Sequence, residues 1–86
     1  MDRMAEISEQ LIAGVDKAKS GDWEAAHNIA QLLKGDRHAD WFHAVLHKIE
    51  GDESNSRYWY AKANQSYEAY CDAQAELNAL KAVLAD

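Results

Sequence analysis

Three Gly-Asp dipeptides, Gly21-Asp22, Gly35-Asp36 and Gly51-Asp52, divide a chain that contains no proline. Glycine takes the left-handed residue that closes a helix, and aspartate accepts hydrogen bonds from the free amides that open the next. Alanine is the commonest residue and β-branched residues are few, so the segments between these turns favour helix almost throughout. The expected fold class is all-α. About five helices would form antiparallel helical hairpins, stacked as a repeat-like array or gathered in a small bundle, because turns this short leave successive helices side by side.

Apolar spacing places the helices. Met4, Ile7, Leu11, Val15 and Ala18 recur at three- and four-residue steps and give a first helix over roughly Met4 to Ser20. Gly14 lies inside it, where glycine is costly unless another helix approaches closely. A second helix is expected from Asp22 to about Lys34, with Ala26, Ile29, Ala30 and Leu33 facing inward and Trp23, His27 and Gln31 in an adjoining row. A third runs from Ala39 or Asp40 to Glu50 and packs through Phe42, Val45, Leu46 and Ile49. The fourth starts near Asp52, carries Tyr58, Trp59 and Tyr60, and weakens at Asn64-Gln65-Ser66. A last one reaches Leu84 through Tyr70, Ala73, Leu77 and Leu80, either as a separate helix or as the continuation of a kinked rod.

With 86 residues the chain reads as a single helical domain, residues 1–86, burying only about 60 to 65% of its unfolded surface. The formal charge of −6, with no lysine or arginine cluster longer than a pair, argues against nucleic acid and against anionic membranes, both of which need concentrated positive charge. No stretch approaches transmembrane length, and Met1-Asp2-Arg3-Met4-Ala5-Glu6 opens no secretory signal. Cys71 is the only cysteine. That excludes an internal disulfide, suggests a reducing cytoplasm, and leaves Cys71 as a small buried side chain.

All the tryptophans and histidines fall between Trp23 and Trp59. Helical steps of four and three residues bring His43, His47 and Glu50 within about 60° of one another, beside the Phe42/Leu46/Ile49 stripe. Two histidines at i, i+4 with a carboxylate suit zinc or nickel, and His27 on the preceding helix is the natural further ligand. The same row would serve equally as interhelical hydrogen-bond partners. Ala44 stands where a zinc peptidase helix carries its glutamate. No phosphate-binding glycine loop, serine elbow or cysteine nucleophile with its base is present. Consecutive helical residues diverge by about 100°, so at least one of Tyr58, Trp59 and Tyr60 must leave the core. Asp52 and Asn55 read first as helix-capping residues.

Gly21-Asp22-Trp23-Glu24-Ala25-Ala26 and Gly51-Asp52 with Tyr60-Ala61-Lys62-Ala63 resemble halves of tetratricopeptide or Sel1-like repeats, which implies stacked helical hairpins with a binding groove. The string Trp23-x3-His27-x3-Gln31, then Asp40-Trp41-x-His43-x3-His47-x2-Glu50-Gly51-Asp52-x2-Asn55-x2-Tyr58-Trp59-Tyr60, is similar to a group of small uncharacterised all-helical bacterial proteins. This chain has Lys48 where that group carries arginine and Ser56 where it carries alanine. That resemblance implies a site over this stretch and supplies no chemistry.

The expected function is a non-catalytic helical interaction module that presents Trp23, His27, Gln31, Trp41, His43, His47, Glu50, Asn55, Tyr58 and Trp59 to a protein partner. A stack of so few hairpins also has uncovered ends, which favours a homodimer. The alternative is a metal- or small-ligand-binding protein using His43, His47, Glu50 and His27.

Overall fold

The computed structural model describes the backbone of residues 3–86 and the side chains of residues 5–86. It contains five α-helices, α1 (Arg3–Lys19), α2 (Trp23–Leu32), α3 (Arg37–Glu50), α4 (Glu53–Ala63) and α5 (Ala73–Ala85), with a 3₁₀ turn at Tyr67–Ala69 before the last. Met4, expected to head the α1 stripe, lies outside the described side chains. Each Gly-Asp aspartate caps a helix. Asp22 accepts from the amide of Ala25, Asp36 from those of His38 and Ala39, and Asp52 from that of Asn55, each cap contributing about 1 kcal/mol. The double cap at Asp36 starts α3 at Arg37, earlier than the Ala39 or Asp40 that apolar spacing suggests. Gly51 closes α3 at φ 85°, its amide and that of Asp52 reaching back to the carbonyls of Lys48 and His47 at 3.1 and 2.9 Å.

Helix α3 is the axis of the molecule, with every residue from Ala39 to His47 buried. Helices α1, α2, α4 and α5 all pack on it, and α5 also lies against α1. In an open repeat array each hairpin touches only its neighbours. Contact between α1 and α5 makes this the small bundle of the two expected arrangements. Its core joins Leu11 and Val15 of α1, Ala26 and Ala30 of α2, Phe42, Val45 and Leu46 of α3, Tyr60 and Ala63 of α4, and Leu77 and Leu80 of α5. Gly14 marks a close approach of α1 to α2 and α3. A Cβ there would stand 2.9 Å from a ring carbon of Phe42 and 3.2 Å from Cγ2 of Ile29.

Three expectations fail around the second half of the chain. Ile49, assigned to the packing face of α3, is 41% exposed, because the last turn of α3 lies beyond the buried Ala39–His47 span. Cys71, expected buried, is exposed in the connection that precedes α5. Tyr70 stands outside the last helix in extended conformation, and Asp72 caps α5 instead. Helices α4 and α5 are separate, since Asn64 ends α4 in the left-handed region at φ 57°. Among the described residues no helix is long and apolar enough to cross a membrane.

Candidate metal centre

The site forms where α2 and α4 meet α3. Trp23 opens α2, and its Nε1 donates to the carbonyl of Leu46 at 2.7 Å, pinning α2 to the C-terminal half of α3. One turn on, His27 stacks on the Trp23 indole with ring centroids 4.5 Å apart. His43 and His47, on successive turns of α3, are themselves stacked at 4.9 Å. The ring of His27 meets both edge-on, at 4.8 and 5.2 Å. From α4, Trp59 closes the other side of His43. Two indoles thus bracket three imidazoles.

Nε2 of His27 and Nε2 of His43 share a hydrogen bond at 3.1 Å, one ring donating and the other accepting. One ring nitrogen from each of His27, His43 and His47 falls within 4.8 Å of the others. Nδ1 of His47 sits 2.5 Å from Oε1 of Glu50; an ionised carboxylate only accepts, so the proton between them is carried by Nδ1, leaving Nε2 as the ring atom a metal could take. His43 is 3% exposed and its Nδ1 has no hydrogen-bond partner. An orphaned buried nitrogen costs about 1–3 kcal/mol; this one is not the ring nitrogen that meets His27, which is Nε2. Burial, followed by repulsion from His47 and His27, lowers the pKa of His43 to about 4. Burial first, then His47, also lowers that of His27, against a smaller opposing effect of Glu50. Both rings are therefore neutral near pH 7, the form that binds metal.

The spacing of His27 and His43 is one that a first-row divalent ion could bridge. Bonds of 2.0–2.1 Å at tetrahedral angles hold two nitrogens about 3.3 Å apart, close to the 3.1 Å between His27 and His43. Glu50 is the carboxylate that metal-bound histidines characteristically hold behind them, fixing tautomer and ring orientation. His47, Glu50 and Asp52 form a second, overlapping cluster. Its Asp52 is already committed to the α4 cap, so the three-histidine set is the better donor group.

The remaining residues of the expected surface scatter. Gln31 and Tyr58 are exposed, and Asn55 is half-buried in the first turn of α4. Trp41 is 7% exposed, and its Nε1 donates to Oε2 of Glu76 at 2.8 Å. It therefore belongs to the core and not to the histidine cluster, since two residues of helix turn it about 200° from His43. Glu76 is a position that motif spacing along the chain does not mark. Fully buried on α5, its carboxylate also accepts from the Tyr60 hydroxyl at 2.7 Å and from Nζ of Lys48 at 2.8 Å. Lys48 spends its other two donors on the carbonyls of Tyr67 and Tyr70. Burial, and then Glu76, push the Tyr60 hydroxyl far above its ordinary pKa, so it remains a donor. The available signal was a single acid falling on the Ala73/Leu77/Leu80/Leu84 stripe.

No family model, no curated protein and no solved structure matches the chain.

Proposed function

We propose that this protein binds a divalent transition-metal ion, with zinc and nickel the leading candidates, through His27, His43 and His47, while Glu50 orients His47 from behind. The observation that carries the reading is the convergence of one nitrogen from each of three histidines, on two helices, within 4.8 Å. Imidazole suits zinc, nickel and copper alike, and copper binds such donors most strongly where it is available.

The protein-partner role favoured by composition has less support. Most of the aromatic excess is used internally: Trp41 and Tyr60 on Glu76, and Trp23 and Trp59 on histidines. Tyr58, at 54% exposure, is the large ring of this group left to meet a partner.

Calorimetric titration with Zn²⁺ and Ni²⁺ tests the proposal. The expected result is one ion per chain, abolished in His43→Ala and His47→Ala and weakened about 10- to 100-fold in Glu50→Gln. Background uptake by the wild-type chain overturns the reading. So does undiminished uptake by the folded histidine variants, whose folding circular dichroism would establish.

A further inference from the structure

We infer that the metal held by His27, His43 and His47 keeps an exchangeable coordination position that takes water or a small monodentate anion. The inference rests on the three-histidine reading and adds to it a ligand class. Its basis is donor arithmetic. Tetrahedral sites closed by four protein ligands are structural, whereas three protein ligands leave the fourth place to water or substrate. Among the described residues, three donors converge on this centre. The neighbouring carboxylates are engaged elsewhere: Glu50 on Nδ1 of His47, Asp40 on the amide of Gly35 at 3.0 Å, and Asp52 on the first turn of α4. The buried acid Glu76 is committed to Trp41, Tyr60 and Lys48.

The flanking rings supply no fourth donor. The indole N–H of Trp23 is spent on Leu46, and Trp59 presents a flat face to His43. Of the three imidazoles His27 is the one that reaches solvent, being half-buried where His43 and His47 are buried. A ligand would enter on the α2 side. Charge favours an anion there: three neutral imidazoles leave both positive charges of the ion uncompensated among its direct ligands, and the single carboxylate of Glu50 lies one bond network removed.

Cobalt(II) reports this directly, since its visible absorption bands respond to any change of ligand. The intact chain would be loaded with one equivalent of Co²⁺ in chloride-free buffer, then titrated with sodium azide and, separately, sodium thiocyanate. The expected result is a saturable shift of the protein-bound Co²⁺ bands, with isosbestic points, distinct from the response of free Co²⁺ in the same buffer. If Co²⁺ binds and its bands stay unmoved up to high azide, the exchangeable position is disproved while the metal site stands. If Co²⁺ produces no protein-bound bands, both proposals fall.

Discussion

The indole of Trp59 lies flat on the imidazole of His43, with ring centroids 4.0 Å apart and planes within 14° of parallel. The pair joins α4 to the middle of α3 and covers the most deeply buried histidine of the cluster. Aromatic pairs of this kind contribute about 0.5–1.5 kcal/mol beyond the area they bury. A double-mutant cycle on Trp59→Leu and His43→Leu, read by urea denaturation of the metal-free chain, is expected to give a coupling energy in that range. Strict additivity of the two single variants would mean that the stack contributes only its buried area.

The buried position of His43 ties stability to pH. Its pKa is about 4 in the folded chain against 6.5 when solvated, so the unfolded state binds the proton first. Stability is therefore full above pH 6.5 and is lost as pH falls toward 4. The loss from this group is on the order of 3 kcal/mol, at 1.36 kcal/mol per unit. His27, shifted the same way, acts in the same direction. Urea midpoints of the metal-free protein should fall steeply between pH 6.5 and pH 4, and His43→Gln should flatten that slope. An equally steep fall in His43→Gln would assign the dependence elsewhere.

The Lys48–Glu76 pair should be the most sensitive point of the bundle. Glu76→Leu leaves a half-buried ammonium, an indole N–H and a phenol hydroxyl without their acceptor. Breaking a buried pair from one side costs about 3–5 kcal/mol, a large fraction of what a domain of this size possesses. Glu76→Leu combined with Lys48→Met removes both charges, and chemical denaturation should show it to be less destabilised than Glu76→Leu alone. A double variant weaker than the single one would show that the ammonium is held mainly by the Tyr67 and Tyr70 carbonyls.

The parts of the fold that were legible in the sequence are those governed by local rules. Asp22, Asp36 and Asp52 cap helices because the dipeptide chemistry requires nothing distant. The spacing of His43 and His47 announces a shared face, and His27 joins them because a short turn leaves α2 beside α3. Tyr58, Trp59 and Tyr60 separate as their helical angles demand, to solvent, to His43 and to Glu76. Long-range pairing was not legible. Nothing near Glu76 in sequence reveals the three donors it meets, which come from α3 and α4. The outward turn of Ile49 and the exposure of Cys71 likewise depend on where other helices stop, which periodicity along one helix does not encode.

The position of Glu76 within the chain has a consequence for how the fold is reached. Trp41, Lys48 and Tyr60 all precede it, so a nascent chain carries these three groups before the carboxylate that joins them has been synthesised. Until α5 emerges, α3 and α4 can associate only around polar groups still bound to water. Completion of the native state is thereby deferred to the last helix. Its arrival removes solvent from a site that every earlier segment has prepared and none can close.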